Sequence, residues 1–518
     1  MGFGTYFSAI LFNMTLSNQS VQKAPWGIAF IVVTLALVEV LDMTIVSVAL
    51  QNMKGALSAS PNQITWTITA YVVSSAIVMP LTGLLSARYG RKELLIISAI
   101  GFTIASFLCG LSETLWQMVA FRGLQGMFGA LLPPLAQATL VDTFSKKDLP
   151  KAMALYGVGL MVGPILGPVL GGVITDHLGW RFIFYVNIPV GIIGALLAWQ
   201  YLPFTPKTPR KLDLWGVGIL AIAVGSLQFV LDKGNEENWF SSNLILFMAF
   251  LSVTFFIIFI FKGLQDKDNV INFKIFRDKN FTLGCTSMFL YCAAFLGTLS
   301  WLPLMLELFL NYPASTAGLA LMPRGVACLL VIALTPKLAM RFDSRYLVMI
   351  AAILYAWGVL ILARFNLGQG LDALLLPNIL QGAATGFFFV PLNNLTYQTL
   401  SKTHTNEATG LLNFFRSLGS SVGVALFSTL MTRQVQENWH VLGQKISPFN
   451  HQLSAWQNAS GLSVHHPSTI AILGNIVNNQ AYAIAFVHTC QIFSLLVLLV
   501  VPAVFWMAPR VGRVAMGE

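Results

Sequence analysis

Charge is what this chain has least of. Thirty basic and twenty acidic residues stand among 518, or 10%, where a soluble globular domain carries roughly 25%. With 56% of its residues hydrophobic, it has too little polar surface to cover a fold that faces water, which excludes a soluble domain. Cysteine is scarce too. Cys109, Cys285, Cys292, Cys328 and Cys490 all fall inside apolar runs, away from metal-ligand spacings and from loops where a disulfide would serve. Residues 1–25 lack the basic start and small-residue cleavage site of a signal peptide, and Met14 is an alternative start. No nucleotide-binding loop, no spaced His/Cys cluster and no nucleophile-plus-base set occurs, so nothing supports an enzyme, a cofactor or a metal. The pair His465-His466 has no third ligand spaced for it.

What is present is a series of apolar runs of about twenty residues, the length of a membrane-spanning helix rather than of a barrel strand. Fourteen spans are expected near 27–50, 63–85, 94–112, 115–140, 152–175, 181–202, 212–231, 243–262, 281–310, 317–339, 346–365, 373–399, 409–431 and 481–508. An even number puts both termini on one side. Segments on that side hold 20 of the 30 Lys and Arg residues, against 6 on the other, so the termini are expected in the cytoplasm. The same bias accounts for the net charge of +10 without a nucleic-acid partner.

The few charges inside the spans carry the chemistry. Glu39 and Asp42 lie three residues apart in the first span, on one helix face. A carboxylate at mid-membrane costs about 2.5 kcal/mol or more, so such residues face a bundle interior or a water-filled path. Arg122, Glu307, Arg324 and Arg416 are similarly isolated. Asp42 and Glu39 are the nearest class of partner for Arg122. In span five, Gly159, Gly163, Gly167 and Gly171 recur every four residues, a stripe that admits a second backbone closely. Pro164 and Pro168 each remove a backbone donor from the same helix and bend it.

An internal repeat divides the chain. Leu124 to Leu135 (L-Q-G-M-F-G-A-L-L-P-P-L) matches Leu380 to Leu392 (L-Q-G-A-A-T-G-F-F-F-V-P-L), in spans four and twelve. Two six-helix halves with two helices inserted between them satisfy that register, as in secondary transporters with paired repeats around a central site. The expected organisation is a tail at 1–26, a six-helix bundle at 27–203, two inserted helices at 204–264 and a cytoplasmic linker at 265–280. A second bundle is expected at 281–509, with a long polar periplasmic loop at 432–480, and then a tail at 510–518.

At the level of motifs the chain resembles a known family. Gly83 to Lys92 (G-L-L-S-A-R-Y-G-R-K) resembles the inner-loop signature of the major facilitator superfamily, and F-R-G-L-Q-G around Arg122 its span-four arginine motif. The glycine-proline run Gly157 to Gly172 resembles the antiporter motif of its exporters. Leu41 to Leu50, Trp180 to Gly191 and Leu227 to Phe240 resemble hallmarks of its fourteen-helix drug:proton antiporters, nearest to EmrB-type exporters.

The resemblance covers nearly the whole chain and implies an all-α major facilitator fold of 14 transmembrane helices. The implied function is a proton-driven multidrug efflux antiporter of the bacterial inner membrane, exporting hydrophobic or amphipathic compounds. It also implies a periplasmic membrane-fusion adaptor (EmrA-like) and an outer-membrane channel as partners. Asp42, with Glu39, would carry the proton, and Arg122 would favour the ionised carboxylate in one state. Gln125, Asn187, Gln381, Glu307, Arg324 and Arg416 are candidates for the substrate cavity; Phe387, Phe388, Phe389, Met161 and Phe414 would adapt to varied substrates. Gly83, Arg88, Gly90 and Arg91 would form an inner-loop gate. Three positions depart from the pattern: Ala87 where an acid is common, Ser47 and Gln51 where Asn and Pro are common, and Glu307 where Gln is common. The alternative is a narrow-substrate exporter of an organic anion such as a fatty acid or siderophore, with Arg324 and Arg416 holding the anionic group.

Overall fold

Every regular element among the described residues is helical. The structure, a computed structural model, describes residues 25–508 apart from 146–147, 206, 208–212, 266–270, 310–311, 365, 367, 402–403, 447–449 and 461–465. Met14 and His465 therefore lie outside the described residues.

Among the described residues, thirteen helices are long and apolar enough to cross a membrane. They are α1 (Pro25–Leu50, continuing to Ala56), α2 (Trp66–Tyr89), α3 (Arg91–Leu111), α4 (Leu115–Thr143), α6 (Phe182–Tyr201), α7 (Leu214–Lys233), α8 (Asn243–Gln265), α9 (Lys279–Phe309), α10 (Ala314–Arg341), α11 (Ser344–Leu362), α12 (Leu371–Tyr397), α13 (Thr405–Gln444) and α14 (Pro467–Phe505). Between α4 and α6 lies a further 30-residue helix, α5 (Leu149–Leu178).

Polar side chains mark where helices begin. Thr114 and Gln117 form a reciprocal capping box at the start of α4, satisfying two of the amides that a helix start leaves free. Asp213 and Asp343 cap α7 and α11 singly, accepting from the amides of Gly216 and Arg345. Large apolar side chains face outward along most of α8, as in Phe247, Phe250 and Phe261. With its backbone groups bonded internally, a helix of this kind suits lipid and not water.

The helices pair alike in both halves of the chain. Helix α1 packs on α5, α2 on α4, α3 on α4 and α6; correspondingly α9 packs on α13, α10 on α12, α11 on α12 and α14. Helices α7 and α8 pack on each other, and α7 also leans on α2 and α13. Side chains at the C-terminal end of α7 and in the turn beyond it bond to both. Lys233 Nζ donates to Thr65 Oγ1 at 2.8 Å, Thr69 donates to Asp232, and Asn235 Nδ2 donates to Thr432 Oγ1 at 3.3 Å.

The polar segment 432–480 holds helix among its described residues: α13 runs on to Gln444, a further helix spans His451–Ser460, and α14 starts at Pro467. Residues 432–442 hold no Gly or Pro and include the helix formers Arg433, Gln434, Gln436 and Glu437, so polarity there ends the membrane span without ending the helix.

Candidate functional site

Glycine brings α5 close against α1, on the side of Val33, Val40 and Thr44. A Cβ on Gly159 would meet Val33, one on Gly163 would stand 2.7 Å from Val40, one on Gly167 2.0 Å from Thr44 Oγ1, and one on Gly171 2.9 Å from the Ile45 carbonyl. Only hydrogen fits at those four positions. Thr44 Oγ1 also donates to the Gly163 carbonyl, at 3.2 Å. The stripe therefore sets the position of the helix that carries Glu39 and Asp42. Side chains of Met161, Pro164 and Pro168 lie outside the described residues; the helix itself is unbroken from Leu149 to Leu178.

Asp42 sits in a closed cage with 1% of its surface exposed, and Arg122 has the same value. Arg122 Nη1 donates to Asp42 Oδ2 at 2.6 Å, while Gln125 Nε2 and Asn187 Nδ2 donate to Oδ1 at 2.9 and 2.8 Å. Ser106 Oγ accepts from both amides at 3.1 Å and donates to the Phe184 carbonyl. The guanidinium also donates to Gln125 Oε1 at 2.6 Å and lies 4.3 Å from the Tyr71 ring centroid. Five helices, α1, α2, α3, α4 and α6, thus converge on one carboxylate. A buried ion pair is tolerable only when its remaining hydrogen-bonding capacity is filled in this way.

Glu39, one turn earlier, is different. It is buried, yet Tyr71 Oη is its only hydrogen-bond donor among the described residues, at 3.4 Å. Arg416, half-buried on α13, is within electrostatic reach of it. Arg416 and Tyr156 line a cavity between the two halves, together with Gln137, Phe389, Asn393 and Asn413. A saturated carboxylate and an under-bonded one therefore sit side by side.

At the end of the bundle that bears the termini, the halves are latched. Arg91 Nε donates to Asn406 Oδ1 at 2.8 Å, Nη1 to the Ala138 carbonyl at 3.1 Å and Nη2 to Asp142 at 2.5 Å. Asn413 Nδ2 donates to Gln137 Oε1 at 2.7 Å across the same divide. Gly83 lies against Glu407, where a Cβ would fall 2.5 Å from Cγ, and Gly90 holds φ at +88°, a left-handed turn that favours glycine. Arg88 is exposed, with its guanidinium 5.8 Å from the Tyr89 ring.

The remaining candidates separate. Arg324 and Gln381 are buried in the second half, remote in sequence from the acidic cage. Glu307 is exposed near the end of α9 and joins neither group. Phe388 stacks on Tyr291 at 3.6 Å between centroids and belongs to the core of the second half. Tyr71, Ser106, Tyr156, Gln137, Asn406 and Asn413 were not singled out from the sequence. Gln137 carried a usable signal, because it and Asn393 each fall twelve residues after the Gln of the repeated Leu-Gln-Gly. Ser106 and Tyr71 carried none, being ordinary residues whose partners are distant in the chain.

Comparison with known proteins agrees with this architecture. The Major Facilitator Superfamily family model matches residues 32–424. Over 494 residues the chain is 33% identical to the Fatty acid resistance protein FarB of Neisseria gonorrhoeae, covering 93% of this chain and 96% of that one. It is 33% identical to the Multidrug export protein EmrB of Escherichia coli K12, covering 90% and 92%. Among solved structures, the human organic anion transporter MFSD10 superimposes with a TM-score of 0.60 at 15% identity, over 93% of this chain and 99% of that one. The proton:xylose symporter XylE gives 0.58 at 16%, over 93% and 96%. At such identities the two structures speak to the fold alone.

Proposed function

The chain belongs to the major facilitator superfamily, and we propose that it is a proton-driven antiporter exporting hydrophobic and amphipathic compounds across the bacterial inner membrane. Membrane embedding and small-molecule transport follow from the family and from the thirteen long apolar helices among the described residues. The name Multidrug export protein, borne by a relative aligned over nearly the full length, supports broad export.

The observation that carries the coupling scheme is the contrast between the two carboxylates. Asp42 has both oxygens engaged by Arg122, Gln125 and Asn187, so it acts as the fixed counter-ion that holds α1 to α4 and α6. Glu39 has one long hydrogen bond and is within electrostatic reach of a cation, Arg416, that lines the cavity. Glu39 is therefore the group that exchanges protons with the cavity. When ionised it attracts α13 through Arg416; when protonated it releases it. That gives the two halves a charge-dependent bias for rocking about the central site. Arg91, bound to Asn406 and Asp142, latches the terminus-bearing side while the other side exchanges substrate.

Both termini lie in the cytoplasm in this scheme, supported by the 20-to-6 bias of basic residues. A periplasmic membrane-fusion adaptor and an outer-membrane channel complete the pump. Support for that assembly comes from the polar helical extension of α13 to Gln444 and the helix His451–Ser460, which lie between the apolar parts of the last two long helices.

The test is accumulation of ethidium in inverted membrane vesicles with and without an imposed pH gradient. The reading requires accumulation that rises with the gradient and collapses with a protonophore. Gradient-independent equilibration of ethidium refutes it.

A further inference from the structure

Resting on the exporter reading, we infer that the second half contains a carboxylate-binding site centred on Arg324 and Gln381, which takes the head group of an amphiphilic anion with an apolar body. Arg324 is 5% exposed, and none of its three side-chain nitrogens has a hydrogen-bond partner among the described residues. Gln381, fully buried on the adjoining helix, likewise has neither its amide nitrogen nor its oxygen engaged. Folded chains pair nearly all such groups, and an unpaired buried guanidinium is the costliest kind to leave.

The two residues are held together by backbone. A Cβ on Gly382 would lie 2.1 Å from the Arg324 carbonyl, and Asn378 Nδ2 donates to the Ala320 carbonyl at 3.1 Å, one turn before Arg324. The Gln381 side chain lies over Gly358, one turn from Tyr355, and the Tyr355 and Tyr291 phenols are within electrostatic reach of Arg324. Tyr291 Oη and Thr385 Oγ1 are 3.1 Å apart, and Thr385 Oγ1 donates to the Gln381 carbonyl. Arg324 and Gln381 therefore share the interior bounded by α9, α10, α11 and α12.

The internal repeat explains what is missing. Gly126 packs on the backbone of Tyr71 as Gly382 packs on that of Arg324, so Gln381 stands where Gln125 stands in the first half. Gln125 there donates to Asp42. Helices α9 to α12 carry only two acidic residues, Glu307 and Asp372, both exposed near helix ends. The second half thus keeps the glutamine of the first and sets Arg324 where Tyr71 stands, without a buried carboxylate among the described residues of those helices. A ligand carboxylate matches that deficit: a planar anion accepts two parallel N–H groups from one guanidinium, and the Gln381 amide supplies another donor. The buried Tyr291–Phe388 stack makes the same interior apolar.

The experiment uses the full-length protein in phosphatidylcholine nanodiscs with dodecanoate and dodecanol as probes. Wild type is expected to bind dodecanoate about thirtyfold or more tightly than dodecanol, the scale of one buried charge pair. Arg324→Gln should erase that preference while dodecanol affinity stays within about threefold, which reports an intact fold. Arg324→Lys should restore part of it, since charge returns without the fork. Gln381→Leu is the second variant and should cut the preference about fivefold.

Equal binding of the two probes by wild type, or an undiminished preference in Arg324→Gln, overturns the inference. Loss of the preference when phosphatidylglycerol is added also overturns it, because a lipid head group then owns the site. Gradient-driven ethidium transport by wild-type proteoliposomes is read in parallel. If ethidium is pumped and dodecanoate is not preferred, only this inference fails; if ethidium is not pumped, the exporter reading fails with it.

Discussion

Replacing each carboxylate of α1 by its amide separates anchor from proton carrier. Asp42→Asn puts an amide nitrogen where an oxygen accepted, so a donor must face either Arg122 or the Gln125 and Asn187 amides. It also strands Arg122, which is 1% exposed. Removing one partner of a buried pair costs about 3–5 kcal/mol, a large share of a stability of about 5–15 kcal/mol. Glu39→Gln strands far less. It forfeits one hydrogen bond of 3.4 Å from Tyr71, worth about 0.5–1.5 kcal/mol, and Gln can accept from the same hydroxyl.

In detergent, Asp42→Asn should therefore melt far below wild type, and Glu39→Gln close to it. Adding Arg122→Gln to Asp42→Asn should recover much of the loss, because the orphaned charge goes with it. In inverted vesicles Glu39→Gln should still bind ethidium within about threefold of wild type and yet fail to concentrate it under a pH gradient. Two results refute this: Glu39→Gln concentrating ethidium like wild type, or Asp42→Asn proving as stable as Glu39→Gln while losing only the coupling. The second outcome would move the proton to Asp42.

Further expectations concern packing, gating and topology. Gly167→Ala places a methyl 2.0 Å from Thr44 Oγ1 and should cost about 1–3 kcal/mol of stability by overpacking, read by thermal unfolding, whereas Gly172→Ala, with nothing within 4 Å of its Cβ, should be near neutral. Arg91→Ala removes the side-chain bonds to Asn406, Ala138 and Asp142. Since charge-assisted bonds contribute about 1.5–3 kcal/mol each, maleimide labelling of a cysteine at Asn413 from the terminus-bearing side should rise by about tenfold or more. A fluorescent protein that matures only in the cytoplasm, fused after Glu518, should be bright; a dark fusion would reverse the orientation drawn from the basic residues.

Much of this protein could be read without coordinates because a membrane punishes ambiguity. An apolar run of about twenty residues has one economical conformation in lipid, so fourteen spans, their order and the doubled half were visible in composition and in one repeat. Charges in such runs are few, and each invites a reason; Glu39, Asp42, Arg122, Arg324 and Arg416 could be singled out from that cost alone. The glycine stripe of α5 was equally plain, since its spacing of four needs only a helix to become a groove. Where polarity ended the span but not the helix, at 432–444, hydropathy left the secondary structure open, because helix propensity and lipid solubility are separate properties.

Tertiary structure decided which charge meets which group. Two carboxylates three residues apart look alike in a sequence, and only the convergence of α4 and α6 gives Asp42 its three donors while Glu39 keeps one. The closing residues, Asn187 and Ser106, stand 145 and 81 positions away from Asp42 and Asn187 respectively, beyond the reach of any local pattern. The same holds for Arg324: its isolation in an apolar run is a property of the sequence, but the absence of an acidic partner among the described residues depends on what four packed helices bring around it. Solvation cost selects the residues that matter, and hydrogen-bond geometry in three dimensions assigns their roles.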